Sequence, residues 1–364
     1  MRDAKGPLAA DVLVVGAGLV GLASTLALAD RGLRVLLVND TRRGEASPAA
    51  AGMLAPTVEA ATAGAAHDFA IAARDRFPGY VAALRERTGI DVPLNRLGVL
   101  RLALDDAEAE RLRHGLPAGV RWLAPDDVAR LEPALVRTGG ATFHPEDGAV
   151  NNLVLMRALK HAIGHHGRVQ VLGDAVTEVA FDGGGVRAVT RDERTLGAAQ
   201  MVLATGAWAP ALDGLPRALP VEPVRGQMMS VASKALRHVV FGGDGYVVPR
   251  ADGRTLIGAT VERVGFDPAF TEQGVAAVRA MGAAISPALA DARMLNAWAG
   301  LRPMTPDGLP LLGRDPEQPA LLYACGHSRN GVLMAPLTGD CVGDLAAGSD
   351  PRMDIGAFRV ERFG

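Results

Sequence analysis

Asp11-Val12-Leu13-Val14-Val15-Gly16-Ala17-Gly18-Leu19-Val20-Gly21 runs from an apolar strand straight into a glycine turn. Beyond Gly21, helical spacing continues through Leu22, Leu26 and Ala29, Gly32 ends the helix, and Val35-Leu36-Leu37-Val38 reads as a second strand. A strand, turn, helix, strand unit of this kind sets a pyrophosphate against a helix N-terminus, where backbone N–H groups and the dipole stabilise negative charge. Gly16 allows the tight turn, Gly18 lets the phosphates approach the backbone, and Gly21 permits close helix–strand packing, with Ala17, Leu19 and Val20 completing the contact surface. The competing reading is a packed turn without a ligand. The second strand should end in an acidic residue for the ribose hydroxyls. Asn39 stands there with Asp40 next to it, and either side chain can accept those hydrogen bonds. Arg42 and Arg43 follow, suited to a pyrophosphate or to a solvated loop.

The run from Val12 to Ala29 carries no charge, which also fits a signal peptide or membrane anchor. The glycine interruptions, Asp3 and Asp11 favour a soluble fold. The 364 residues suggest two to three domains, and 49% hydrophobic with 21% charged residues is an ordinary globular balance. Thirty-eight basic against forty acidic residues give a net charge of −2, which argues against nucleic-acid binding and for a small-molecule partner. Cys325 and Cys341 are the only cysteines, too few for a disulfide framework or a four-cysteine zinc site. A cytoplasmic location is expected. His161 and His165 have the i, i+4 spacing of a metal pair, but without an apparent third ligand they read as a helix end, and no metal is expected.

Further motifs follow in order: Ser47-Pro48-Ala49-Ala50-Ala51-Gly52-Met53-Leu54, Val202-Leu203-Ala204-Thr205-Gly206-Ala207-Trp208, Pro223-Val224-Arg225-Gly226-Gln227 and Tyr246-Val247-Val248-Pro249-Arg250. Gly300-Leu301-Arg302-Pro303-Met304-Thr305-Pro306-Asp307-Gly308 and Gly326-His327-Ser328-Arg329-Asn330-Gly331 complete the series. From about Asp11 to about Gly348 the chain resembles the glycine oxidase family of the D-amino-acid oxidase superfamily of FAD enzymes.

The resemblance implies an α/β fold: a Rossmann-like FAD-binding domain of D-amino-acid oxidase type with a second, antiparallel-sheet substrate domain. The FAD domain is expected from residues 1–80, 145–220 and 300–364, and the substrate domain from 81–144 and 221–299. Ala50, Ala51, Gly52, Met53 and Leu54 would lie along the flavin, where small side chains permit close backbone approach. Gly326, His327, Arg329, Asn330, Gly331 and Val332 would face its pyrimidine edge, the helix that follows stabilising negative charge there. Arg43, Val176, Thr205, Gly206 and Trp208 join the cofactor set. Ser328 replaces an aromatic residue frequent in the family, which leaves substrate size open.

A guanidinium in a cleft holds a carboxylate by two parallel hydrogen bonds, and the resemblance gives that role to Arg302, with Tyr246 as hydroxyl donor and Arg329 beside the substrate. Some relatives in the superfamily attach flavin through a cysteine near the GLRP-like segment; here that segment carries Met304 and neither Cys325 nor Cys341 aligns with such a place, so FAD is expected to be non-covalent. The implied reaction moves a hydride from the α-carbon of glycine or another small amine or D-amino acid to flavin N5. Hydrolysis yields an oxo acid and ammonia, oxygen reoxidises the flavin to give hydrogen peroxide, and the product would feed thiamine thiazole synthesis. The alternatives are a D-amino-acid dehydrogenase that uses a quinone and a non-catalytic flavin-binding module. The oligomeric state stays open, a homo-oligomer included.

Overall fold

A computed structural model describes residues 8–59, 64–114 and 116–364. Its first sheet runs Val176–Asp182, Gly185–Thr190, Thr195–Leu203, Leu8–Val15, Val35–Val38, Val169–Leu172. The central strands are parallel, and Leu321–Cys325 pairs with the second half of Thr195–Leu203 at Met201, Val202 and Leu203. Val12–Val15, Val35–Val38 and Leu321–Cys325 are buried along their whole length because both sheet faces are covered there. Val12 and Val14 enter a core with the helices Leu19–Asp30, Ala65–Thr88, Asn152–Gly164 and Gly331–Ala346. Leu13 and Val15 enter a separate core with Leu203, Tyr323 and Cys325. The uncharged run from Val12 to Ala29 is therefore a two-sided strand followed by a buried helix. Among the described residues no helix is long and apolar enough to cross a membrane.

The second sheet runs Met294–Met304, Glu222–Ala232, Arg254–Gly258, Gly245–Pro249, Val239–Gly242, Val99–Ala103, Gly140–His144, Arg121–Leu123. It is antiparallel, as expected, except where Val239–Gly242 pairs parallel with Val99–Ala103. Met229, Val231, Val247 and Ile257 pack on one face with Val278 and Ile285 of the helix Glu272–Ile285. Met228, Tyr246, Val248 and Trp298 belong to the other face, with Ala51 and Ala55. A small third sheet joins Met53–Leu54 and Leu94–Asn95 to Gly148–Val150, and so ties the loop before Leu54 to a segment far along the chain.

Two expected breaks fall inside single elements. The break after residue 80 lies in the helix Ala65–Thr88, where Tyr80 and Leu84 are buried in the same core as Phe69 and Phe77. That before residue 300 lies in the strand Met294–Met304, which is paired with Glu222–Ala232 along its whole length. Continuous burial in the helix, and strand pairing that keeps one register from Asn296 to Met304, carry each element past the expected boundary.

Candidate active site

Backbone crowding requires the first and last glycines of the turn. Gly16 has φ +106°, and a Cβ on it would stand 2.5 Å from the Ala204 carbonyl oxygen. On Gly21 a Cβ would come within 1.9 Å of the Gly16 carbonyl oxygen. Asn39 closes the turn by accepting a hydrogen bond from the Ala17 N–H at 2.8 Å through Oδ1. Asp40 borders the same cleft and pairs with Arg191 at 2.5 Å and Arg42 at 3.6 Å. The helix Leu19–Asp30 lacks a side-chain cap of its own, and Ser47 Oγ supplies one from another segment, accepting from the Leu19 N–H at 2.9 Å.

The second sheet and the small third sheet hold the Ala49–Met53 loop. Trp298 Nε1 donates to the Ala49 carbonyl at 2.9 Å, and Arg250 donates to the carbonyls of Ala51 and Val150, each at 2.8 Å. Arg250 also reaches Asn152 Oδ1 at 3.1 Å, and burial pushes its pKa down to about 10. Val150 N–H in turn donates to the Gly52 carbonyl at 2.8 Å, and Gly52 has φ +73°. Opposite Ala49 stands Gly300, where a Cβ would lie 2.4 Å from that of Ala49.

Across the second sheet Tyr246, Gly258, Met228 and Trp298 stand in register on adjacent strands, with the Tyr246 hydroxyl 3.9 Å from Met228 Sδ. Arg302 lies over Gly226, and its Nη1 donates to the carbonyls of Thr260 at 3.0 Å and Arg225 at 3.3 Å. Arg225 and Gln227 alternate to the opposite face, where they meet Glu262. The turn before the helix Gly331–Ala346 has Gly326 at φ +66° and Ser328 at φ +49°, and the Ser328 N–H donates to the Pro303 carbonyl at 2.9 Å. His327 borders the cleft, but its Nε2 is engaged with Thr338 Oγ1 at 3.1 Å and burial lowers its pKa to about 4, so the ring is neutral.

One cleft gathers Gly16, Ala17, Gly18, Val20, Asn39, Asp40, the Ala50–Met53 segment, Val176, Thr205, Gly206, Trp208, Tyr246, Arg302, and Gly326, His327, Arg329, Asn330, Gly331 and Val332. Four expected residues stand back from it. Leu19 and Leu54 turn their side chains into the apolar core, and Gly21 is packed beneath Gly16. Arg42 takes the place expected for Arg43, with its guanidinium 5.6 Å from the Trp208 ring centre. Sequence reading missed Ser47, Met228, Trp298 and Arg250, whose contacts are long-range. A Trp inside a strand and an Arg at the hairpin turn after Pro249 are the available signal.

Residues 11–345 match the family model described as DAO, FAD dependent oxidoreductase. The chain belongs to this family of FAD-dependent oxidoreductases. It is 36% identical to glycine oxidase of Geobacillus kaustophilus over 97% of both chains. The crystal structure of glycine oxidase from that organism superposes with a TM-score of 0.92 at 34% identity, covering 97% of this chain and 98% of that one. The bifunctional protein ThiO/ThiG of Synechocystis is 36% identical over 97% of this chain, which spans 54% of that longer protein.

FAD fits the DAO-family cleft on its own geometry. The glycine turn has no side chain to block a pyrophosphate, and the loop along the cleft is built of alanine and glycine. In the wall of the cleft, Thr205 Oγ1 is buried without a hydrogen-bond partner among the described residues, so it is open to a polar group of a ligand.

Proposed function

We propose that this chain oxidatively deaminates glycine or a small N-substituted or D-amino acid, giving an oxo acid, hydrogen peroxide and ammonia, or the corresponding amine where the nitrogen carries a substituent. The observation that carries the reading is the placement of Arg302 and Tyr246 on the cleft-facing side of one sheet, with Arg329 also bordering the cleft. Bound FAD supplies the acceptor for a hydride from the substrate and returns two electrons to oxygen. Gly16, Ala17, Gly18 and the first turn of the helix Leu19–Asp30 would hold its pyrophosphate, Asn39 or Asp40 its ribose, and the segments Ala50–Met53 and Gly326–Val332 its ring system.

The work of the protein is then positioning. Arg302 offers parallel N–H donors to the substrate carboxylate, and the Tyr246 hydroxyl adds a third contact, which together fix where the α-hydrogen points. Met228 and Tyr246 are buried, and with Trp298 they make a largely apolar wall that limits water beside the reacting carbon. The similarity to glycine oxidase and to ThiO/ThiG supports glycine as substrate and a role in supplying thiamine thiazole synthesis.

The test is anaerobic mixing of the yellow protein with glycine, sarcosine, D-alanine and D-proline, following flavin absorbance near ~450 nm before air is admitted. Bleaching by one amine, with recovery in air and release of peroxide, is the expected result. Recovery with a quinone but not with air would make the enzyme a dehydrogenase, and no bleaching with any amine would overturn the reading.

A further inference from the structure

The sheet face that carries Tyr246 continues into a second cavity. Phe241 is paired with Tyr246 on one side and with Arg101 on the other. Directly paired residues point to the same face, so Arg101 and Tyr246 share a face two strands apart, with about 10 Å between their backbones. The rings of Phe241 and Tyr246 are 5.6 Å apart, centre to centre. Arg101, Phe241, His67, Leu333 and Met334 line a cavity of about 560 Å³, ample for one arm of a small molecule. Arg329 and Asn330 border both this cavity and the cleft, so the two spaces adjoin at those residues.

The charges in this cavity are unevenly matched. Asp307 is paired with Arg362 at 2.7 Å, and Glu108 accepts from the Leu104 N–H at 3.0 Å and stands 3.7 Å from Arg111. Arg101 is half-buried, and among the described residues it makes one hydrogen bond, from Nη1 to the Val58 carbonyl at 3.3 Å, and no ion pair. Its charge is felt nearby: burial first, then the Arg101 guanidinium, pushes the His144 pKa down to about 4. His67 Nδ1 is buried in the same region with no hydrogen-bond partner among the described residues. A half-buried guanidinium without a carboxylate partner is a site for an anion.

We infer that this cavity is a subsite for a second carboxylate, carried on the nitrogen substituent of a glycine-type substrate whose own carboxylate is held at Arg302. The inference rests on the amine-oxidase reading above and narrows it to acid-bearing N-substituted glycines. Arg101 is then a specificity residue, separated from the reacting carbon by the Phe241 ring.

The experiment compares kcat/KM for sarcosine, for glycine bearing an N-(2-carboxyethyl) arm, and for the neutral N-(2-carbamoylethyl) analogue. It uses the wild-type holoenzyme, Arg101→Lys and Arg101→Gln. Glutarate and glutaramate serve as unreactive probes whose dissociation constants are read by calorimetry. The acid arm should be preferred to the amide by about tenfold in the wild type, with glutarate binding tighter than glutaramate by a similar factor. Arg101→Lys should keep much of both ratios. Arg101→Gln, which can still donate to the Val58 carbonyl, should bring both close to one. Flat ratios in the wild type, or ratios unchanged in Arg101→Gln, overturn the subsite while turnover of sarcosine leaves the amine-oxidase reading standing. If both arm-bearing glycines leave the flavin oxidised while glycine or sarcosine bleaches it, the subsite alone falls; if glycine, D-alanine and D-proline fail as well, the reading and the subsite fall together.

Discussion

Gly226 lies directly beneath the guanidinium of Arg302, so close that a Cβ on it would stand 2.3 Å from both Nη atoms. Gly226 is paired with Gly300, two residues before Arg302 on the neighbouring strand. The two glycines thus have separate tasks on one row: Gly226 leaves room for Arg302, and Gly300 for Ala49.

Gly226→Ala should push the Arg302 guanidinium outward by roughly 1 Å, enough to lower kcat/KM for the amino acid by about 100-fold. The loss should appear mainly in KM, with flavin content and melting temperature near wild type. Steady-state kinetics on flavin-loaded protein checks this, and an unchanged KM would remove Arg302 from carboxylate binding.

Gly21→Ala meets a different kind of obstacle. The new methyl would sit 1.9 Å from the Gly16 carbonyl oxygen, a backbone atom that cannot swing aside. The helix Leu19–Asp30 must back away from the strand, so the purified variant should carry little FAD and lose about 2–4 kcal/mol of stability. Flavin-to-protein absorbance and denaturant unfolding measure the two effects.

Arg250→Met should leave the carbonyls of Ala51 and Val150 and Asn152 Oδ1 without their donor. Uncompensated buried acceptors should cost about 3 kcal/mol and loosen the loop along the cleft. Faster proteolysis near Ala49–Met53 and weaker FAD retention on dilution are expected, whereas a variant as stable as wild type would make the Arg250 contacts dispensable.

His144 gives the fold a pH dependence. Its folded pKa is lowered to about 4 by burial and by Arg101, against an ordinary value of 6.5. Between those values the unfolded chain binds more protons than the folded one, so stability is complete above about pH 6.5 and is lost as pH falls toward 4. The loss is about 3 kcal/mol, and His327, lowered to a similar pKa by burial, adds in the same direction. His144 bonds Thr57 Oγ1 through Nδ1 at 2.7 Å and Thr142 Oγ1 through Nε2 at 2.9 Å, so protonation also disturbs the anchoring of Thr57. In His144→Gln the unfolding midpoint should change less steeply between pH 6.5 and 4; an unaltered slope would place the titration elsewhere.

The two sheets were unequally legible in sequence. Val12–Val15 and Val35–Val38 announce a buried parallel sheet because each is apolar without a break, and the Gly16 turn fits because its constraint is local. The second sheet was visible as hairpin and strand fragments around Tyr246 and Met228, but not its order, nor the parallel pairing of Val239–Gly242 with Val99–Ala103. That pairing joins segments more than a hundred residues apart, and no local pattern encodes it.

By itself the sequence determined the glycine turn, the family motifs and the residues competent to hold a carboxylate, because backbone φ, apolar runs and side-chain chemistry are properties of short segments. Only the tertiary structure decided that Arg42 rather than Arg43 borders the cleft, and that Ser47 caps a helix distant in sequence. It alone showed that Arg250 and Trp298 hold the Ala49–Met53 loop, and that Arg101 shares a face with Tyr246. Each of these depends on which strand lies beside which, and so on burial of apolar surface across the whole chain.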